Sequence, residues 1–485
     1  MTENKAQGPR LSEFVSLMAL MMSLVALSID AMLPALADIG RDLGTTDANQ
    51  PQLVVSVLFL GLALGQIVYG PLSDAIGRKK PIYAGLAIYL IGSVLCVLAE
   101  SFAVMLVGRF LQGLGVAGPR IVTMALVRDQ FEGRAMARIM SLIMAVFIIV
   151  PALAPAVGQG ILELAEWRAI FGLLLALATI AFLWFSLRQP ETLTPSRRLP
   201  WSARRFATGL LEALRNPKAI GYTITAGLVF GGFIGYLTVA PQIFQTQYRL
   251  GAQFPLYFGG LALAIGAASL LNARMVMKFG MQLLSRRALQ AQCVISALCF
   301  AYVWFAGGSL PLWALMVWGS AAFFCQGLLF GNLNAMAMEP LSHIAGIGAA
   351  VIGTLTSIIS LTLGTVIGQA YNRTVLPLIG GFAGLGLAGL VVMAWTGEGV
   401  SERIEAAGFI AEQVNCAATG SSPLSKDLKG CQQGNPALPS SDGGLPDNDS
   451  ARYSDYRLCI LGNPNSSATA RAGRSDAGAG HRCIG

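Results

Sequence analysis

The chain has 485 residues, of which 54% are hydrophobic and only 12% charged, with a formal net charge of +8. A soluble domain usually carries about a quarter charged residues, so a soluble cytosolic enzyme is excluded. The apolar residues come in blocks of roughly twenty, the length a helix needs to cross a bilayer core about 30 Å thick.

In chain order the blocks predict spans over 14–36, 51–72, 80–99, 102–126, 136–162 and 168–187. A polar stretch from Arg188 to Pro217 follows, and then spans over 218–240, 253–277, 286–306, 311–334, 343–371 and 374–396. Each span satisfies its own backbone hydrogen bonds only as a helix. The first block is too long for a signal core and lacks a small-residue cleavage site, so it reads as a span. The expected organisation is all-α: a short tail 1–13, a six-helix bundle over 14–187, a central loop 188–217, and a second six-helix bundle over 218–396. Residues 397–485 are rich in Gly, Ser, Ala, Pro and Asn without apolar periodicity, and are expected to form a disordered tail.

An even number of spans puts both ends on one side. If that side is the cytoplasm, the inner segments hold about 20 lysines and arginines, among them Arg78, Lys79, Lys80, Arg128, Arg134, Arg138 and Arg197. The outer segments hold only Arg41, Arg168, Arg249 and Arg373. The asymmetry orients the chain with cytoplasmic termini. It also accounts for most of the positive balance without nucleic acid.

Enzyme chemistry finds little support. The cysteines show no metal-ligand spacing, and the two histidines, His343 and His481, are far apart. No phosphate-cradling glycine loop of the Walker type is present. Neither a metal nor another cofactor is expected. Glycines four apart within spans, such as Gly61 and Gly65, Gly231 and Gly235, and Gly364 and Gly368, predict close helix packing.

The loop after the second span reads Gly70-Pro71-Leu72-Ser73-Asp74-Ala75-Ile76-Gly77-Arg78-Lys79-Lys80. Its glycines permit a tight turn. Asp74 is placed either to accept hydrogen bonds from a neighbouring helix N-terminus or to pair with an arginine. This segment resembles the signature loop of the major facilitator superfamily. A weaker copy runs from Asn272 through Lys278-Phe279-Gly280 to Arg287, which suggests an internal repeat.

The fourth span carries Arg109, Gln112, Gly113 and Gly115, and resembles the arginine-x-x-glutamine-glycine motif of proton-coupled facilitators. The fifth carries Pro151, Pro155 and Gly158 and is similar to the antiporter motif, with Ala154 and Gln159 where the family often has glycine. In the first span, Asp30 followed by Pro34 resembles the drug-exporting Bcr/CflA branch, as does Arg128-Asp129. Met22 stands where some related exporters carry a second acid.

The resemblance implies two six-helix bundles around a central cavity, alternating access, and drug:proton antiport by a monomer in the bacterial inner membrane. Its partners are a small-molecule substrate, protons and lipid. Export of a native metabolite such as an amino acid, nucleoside or siderophore stays open, as does an inactive homologue acting as a sensor.

A charged residue within a span is costly and functional by default. Asp30 lies about six residues, and Arg109 about seven, from the expected outer ends of their spans, so both sit roughly 10 Å deep. Desolvation favours the neutral acid and a nearby arginine favours the carboxylate. A change in their separation therefore loads or releases a proton. The competing reading is a static ion pair that fixes packing. Arg120, eleven residues after Arg109 and on nearly the same face, either lines the cavity or reaches for the surface. Tyr236, Asn332 and Asn334 are further cavity candidates.

Overall fold

The computed structural model describes residues 10–198 and 202–396; the expected N-terminal tail and the tail after 396 lie essentially outside the described residues. Among the described residues, twelve helical segments are long and apolar enough to cross a membrane. Large apolar side chains on their outer faces are exposed, including Leu270 (75%), Leu298 (69%) and Val391 (63%). In water such a surface would be a liability; in a bilayer it is solvated by lipid.

The helices are α1 (Leu11–Asp30), α2 (Leu36–Asp42), α3 (Leu53–Ile76), α4 (Lys79–Val97), α5 (Phe102–Gln130), α6 (Gly133–Leu162) and α7 (Arg168–Arg188) in the first half. In the second half, α8 (Ala203–Arg215) precedes α9 (Pro217–Pro241), α10 (Phe254–Phe279), α11 (Met281–Phe305), α12 (Leu312–Met338), α13 (Ala345–Gln369) and α14 (Leu376–Trp395). The joints between α3 and α4, α5 and α6, and α10 and α11 share one end of the molecule, called here the basic end.

The seventh span runs to Gln247 rather than 240 and the tenth to Ile344 rather than 334, and two further elements differ in kind. The first span continues to Asp42 rather than ending at 36, and it is interrupted. The α1 helix stops at Asp30, a 3-10 turn over Leu33–Ala35 carries Pro34, and α2 resumes the run. Proline has no N–H to give and disfavours helical backbone in the residue before it, which puts the break where the sequence places Pro34. The central polar stretch also contains a helix. In α8 the apolar Leu210 and Ala213 pack inward, while Arg204 and Arg215 keep the stretch polar on average. The helix is docked by His343, whose Nε2 lies 2.6 Å from Glu212 Oε1.

Within each half, small residues set the close helix pairs. A methyl group added at Gly61 or Gly65 would strike the α5 backbone at Phe110 or Leu114, and one at Gly364 would meet Ile234 of α9. The halves meet along two seams. One joins α3 to α13, with Gln66 Nε2 donating to Ser357 Oγ at 3.3 Å and Thr365 Oγ1 to Ser56 Oγ at 3.0 Å. The other joins α6 to α10, where Gly259 lies against the Ala152 carbonyl.

At the end opposite the basic one, side-chain amides cross between the halves. Asn49 Nδ2 donates to the Gln369 and Tyr371 carbonyls at 3.1 and 3.0 Å. Gln369 Nε2 returns a bond to the Asn49 carbonyl at 3.0 Å. Gln52 Nε2 donates to Gln242 Oε1 at 2.5 Å, and Gln242 Nε2 to the Ala48 carbonyl at 2.7 Å. Gln245 Nε2 reaches the Pro34 carbonyl at 3.2 Å.

Candidate functional site

Arg109 is completely buried in α5. Its guanidinium donates from Nε to the Val54 carbonyl at 3.0 Å, from Nη1 to Gln112 Oε1 at 2.8 Å, and from Nη2 to the Ser28 carbonyl at 2.7 Å. It also lies 5.7 Å from the centre of the Phe171 ring. Gln112 is fixed in turn by donating to Ser93 Oγ at 2.8 Å. The planar fork thus ties α1, α3 and α5 together. Ser28 belongs to the last turn of α1, where carbonyls lack helical partners. The break after Asp30 therefore supplies the acceptor that Arg109 uses.

Asp30 is buried (4% exposed) at the C-terminus of α1. Its Oδ1 has no hydrogen-bond partner, and no ion pair joins it to Arg109. The two residues do share a depth, since Arg109 bonds the carbonyl of Ser28, two residues before Asp30. Because the span extends to Asp42, Asp30 lies twelve residues from its outer end rather than six, roughly 18 Å along the helix axis. Asp30 is the only buried carboxylate among the described residues. Across the interface, the Tyr236 hydroxyl of α9 is also buried and unpartnered, within electrostatic reach of Asp30.

The fifth-span motif acts on the same break. A methyl group at Gly158 of α6 would collide with the Ala31 carbonyl, so only glycine lets α6 close against the end of α1. The α6 helix runs unbroken through Pro151 and Pro155. Gly113 and Gly115 do the same on α5, against the backbones of Leu58 and Tyr89.

At the basic end, Gly77 adopts φ 98°, a conformation that side-chained residues avoid. It turns the chain from α3 into α4 and brings Arg78 inward to 7% exposure. Arg78 pairs with Asp74 Oδ1 at 2.5 Å and with Asp129 Oδ2 at 2.8 Å, and its Nη1 also donates to Ser73 Oγ at 3.0 Å. Glu191 accepts from the backbone N–H of Arg78 at 2.9 Å and of Lys79 at 3.1 Å, capping α4. Burial works to raise the Glu191 carboxyl, but the backbone N–H groups of Arg78, Leu193, Lys79 and Thr192 outweigh it and hold the group below its ordinary range. Lys79 lies over the Tyr83 ring. Gly70 sits one turn before Asp74, where an added methyl would just reach van der Waals contact with Ala350 of α13. Asp74 also faces Gly346, in the first turn of α13 of the other half. Of the two partners expected for Asp74, the structure forms the arginine pair, with Arg78. The α10–α11 joint repeats the turn with Gly280 at φ 76°.

Three candidates stand apart from this arrangement. Arg120 is half-buried in α5 and makes no hydrogen bond or ion pair with the described residues. Asn332 is engaged with Asn272 at 2.9 and 3.1 Å and with the Leu328 carbonyl, so it ties α12 to α10. Asn334 donates back to the Phe330 carbonyl of its own helix. Sequence reasoning missed Ser28, Val54 and Glu191. The first two act through backbone carbonyls, which carry no sequence signature, and Glu191 lay unremarked in a polar stretch.

Two six-helix halves, buried polar groups at a helix break between them and a basic joint locked by ion pairs define a polytopic membrane transporter rather than an enzyme. The chain belongs to the Major Facilitator Superfamily, whose sequence profile matches residues 18–365. It is 30% identical over 355 residues to the "Uncharacterized MFS-type transporter YdgK" of Bacillus subtilis, covering 73% of this chain and 87% of that one. It is 26% identical to the "Bicyclomycin resistance protein homolog" of Haemophilus influenzae, covering 76% and 91% of the two chains. It is 27% identical to "Multidrug resistance protein D" of Escherichia coli, covering 71% and 86%. The structure of the human organic anion transporter MFSD10 (TETRAN) superposes with TM-score 0.58 at 18% identity, over 79% of this chain and all of that one, which reflects the shared fold.

Proposed function

We propose that this protein exports small drug-like molecules across the bacterial inner membrane in exchange for protons, by alternating access, with both termini in the cytoplasm. The orientation follows from the basic end, which holds most of the lysine and arginine. The resistance proteins among its relatives support drugs as the substrate class.

The observation that carries the reading is Asp30. An intramembrane carboxylate without a partner is expensive by several kcal/mol unless it is protonated. In the described conformation no donor reaches Oδ1, which suits the neutral acid. Arg109 sits nearby in positive form, committed to carbonyls. A rearrangement at the break that frees Arg109 from Ser28, or brings Asp30 towards it, favours the carboxylate and releases the proton. A proton entering down the membrane potential supplies roughly 2.3 kcal/mol per 100 mV. The signature-loop cluster around Arg78 then serves conformational switching, not substrate choice.

The test is substrate-driven proton movement in proteoliposomes and substrate-induced proton release in detergent, wild type against Asp30→Asn. The amide keeps the shape and carries no charge, so insertion and some substrate binding should persist while proton release and proton-driven export disappear. Unchanged proton release in the variant would remove Asp30 from the mechanism.

A further inference from the structure

The wheel of α9 divides cleanly. Gly231 and Gly235 face Leu363 and Ile367 of α13, Gly232 faces Phe382 of α14, and the Val229 carbonyl accepts from Gln326 of α12. At 3.6 residues per turn, the remaining sector, turned towards the other half, carries Phe230 and Phe233. Both are only partly buried.

These rings belong to a continuous series. Phe330 of α12 meets Phe230 edge to face at 4.5 Å between centroids. Phe230 stacks on Phe233 at 5.4 Å, and Phe233 lies 6.5 Å from Tyr236. Tyr236 stacks on Phe258 at 5.6 Å and meets Phe323 edge to face at 4.7 Å. Exposure falls along the series, from 41% at Phe330 to 4% at Tyr236 and 3% at Phe258. The accessible rings lie towards the basic end and the covered ones deeper. At the covered end the Tyr236 hydroxyl and Asp30 Oδ1 are both buried without a hydrogen-bond partner.

Core packing accounts for Phe258 and Phe323, which are enclosed. It does not account for three rings left partly open, nor for two orphaned polar atoms, since buried polar groups are normally bonded. A ligand with a flat face and a polar group at one edge satisfies both features.

We propose that Phe330, Phe230 and Phe233 form a subsite for a flat aromatic or heteroaromatic ring of the substrate, and that Tyr236 with Asp30 takes up a hydrogen-bonding group at the ring's edge. This deepens the exporter reading and rests on it. Rings offer stacked and edge-to-face contacts that a saturated ring of equal bulk cannot return.

The experiment compares 2-naphthol with its saturated counterpart 2-decalol, which share a skeleton and a hydroxyl. Binding to the full chain in detergent is measured by titration calorimetry against empty micelles. Wild type should bind the naphthol roughly ten-fold more tightly, as two or three ring contacts imply. Phe230→Leu with Phe233→Leu keeps apolar bulk and should bring the ratio close to one. Tyr236→Phe should weaken both ligands and leave the ratio alone. Should the double variant fold poorly, Phe330→Leu, at an exposed position, should lower the ratio by itself. Equal affinities in wild type, or a ratio unmoved by the phenylalanine variants, overturns the proposal. Proton-driven export by wild-type vesicles is scored separately, so an absent ring preference and an absent transport activity are told apart.

Discussion

Replacing Arg109 by lysine separates two roles that the sequence alone confounds. Lysine keeps the positive charge but presents its three N–H groups from one nitrogen, whereas the guanidinium reaches acceptors on α1, α3 and α5 through three different nitrogens. At least one charge-assisted bond is lost, at about 1.5–3 kcal/mol. At about 2–4 °C per kcal/mol for a unit the size of one half, the melting temperature should fall by roughly 3–12 °C. Because the acceptors that one nitrogen cannot all hold in place include Ser28, two residues from Asp30, proton coupling should weaken although the charge is present. The assay is thermal unfolding of the full chain in detergent, together with proton-driven export in vesicles. A lysine variant that melts with wild type and exports with full coupling would refute the argument and reduce Arg109 to a point charge.

Gly158→Ala should lower both stability and export, because its methyl meets the Ala31 carbonyl, while Gly160→Ala, with open space beside it, should behave as wild type in both measurements. Asp74→Asn and Asp129→Asn each remove one carboxylate from Arg78 and should slow export of every substrate by a similar factor; a shift in substrate preference at full speed would contradict this. Glu191 is held below its ordinary value of 4.5, so its contribution to stability is complete above that pH and fades as pH falls through the lowered value. Glu191→Gln should therefore melt below wild type at neutral pH, with the gap closing in acid.

The span count and the two-half plan were readable because lipid demands long apolar blocks, and each block carries its own signature. Asp30 and Arg109 were readable for the opposite reason: a charge in such a block has a cost that needs a cause. Their actual partners were not. Arg109 uses backbone carbonyls of residues whose side chains say nothing about the contact, and one of them is available only because the helix breaks. Pro34 signalled that break, but the apolar run continues past it, so the span was expected to end at 36 instead of resuming as α2. In α8 the arginines that mark a loop and the leucines that mark a packed face are interleaved, and average polarity hid the periodicity. The Arg78 cluster was half legible: Asp74 and Arg78 lie one turn apart, whereas Asp129 and Glu191 arrive from 51 and 113 residues away.

The amides that bridge the halves at the end opposite the basic one have a consequence for control. Asn49, Gln52, Gln242, Gln245 and Gln369 hold that side shut without a single ionisable side chain in their mutual bonds. Acidity or salt in the surrounding medium has nothing to titrate or to screen within those bonds themselves, although Asp47 accepts from the Asn49 backbone N–H beside them. What they are coupled to is the broken first span, whose Pro34 carbonyl is itself one of the amides' acceptors.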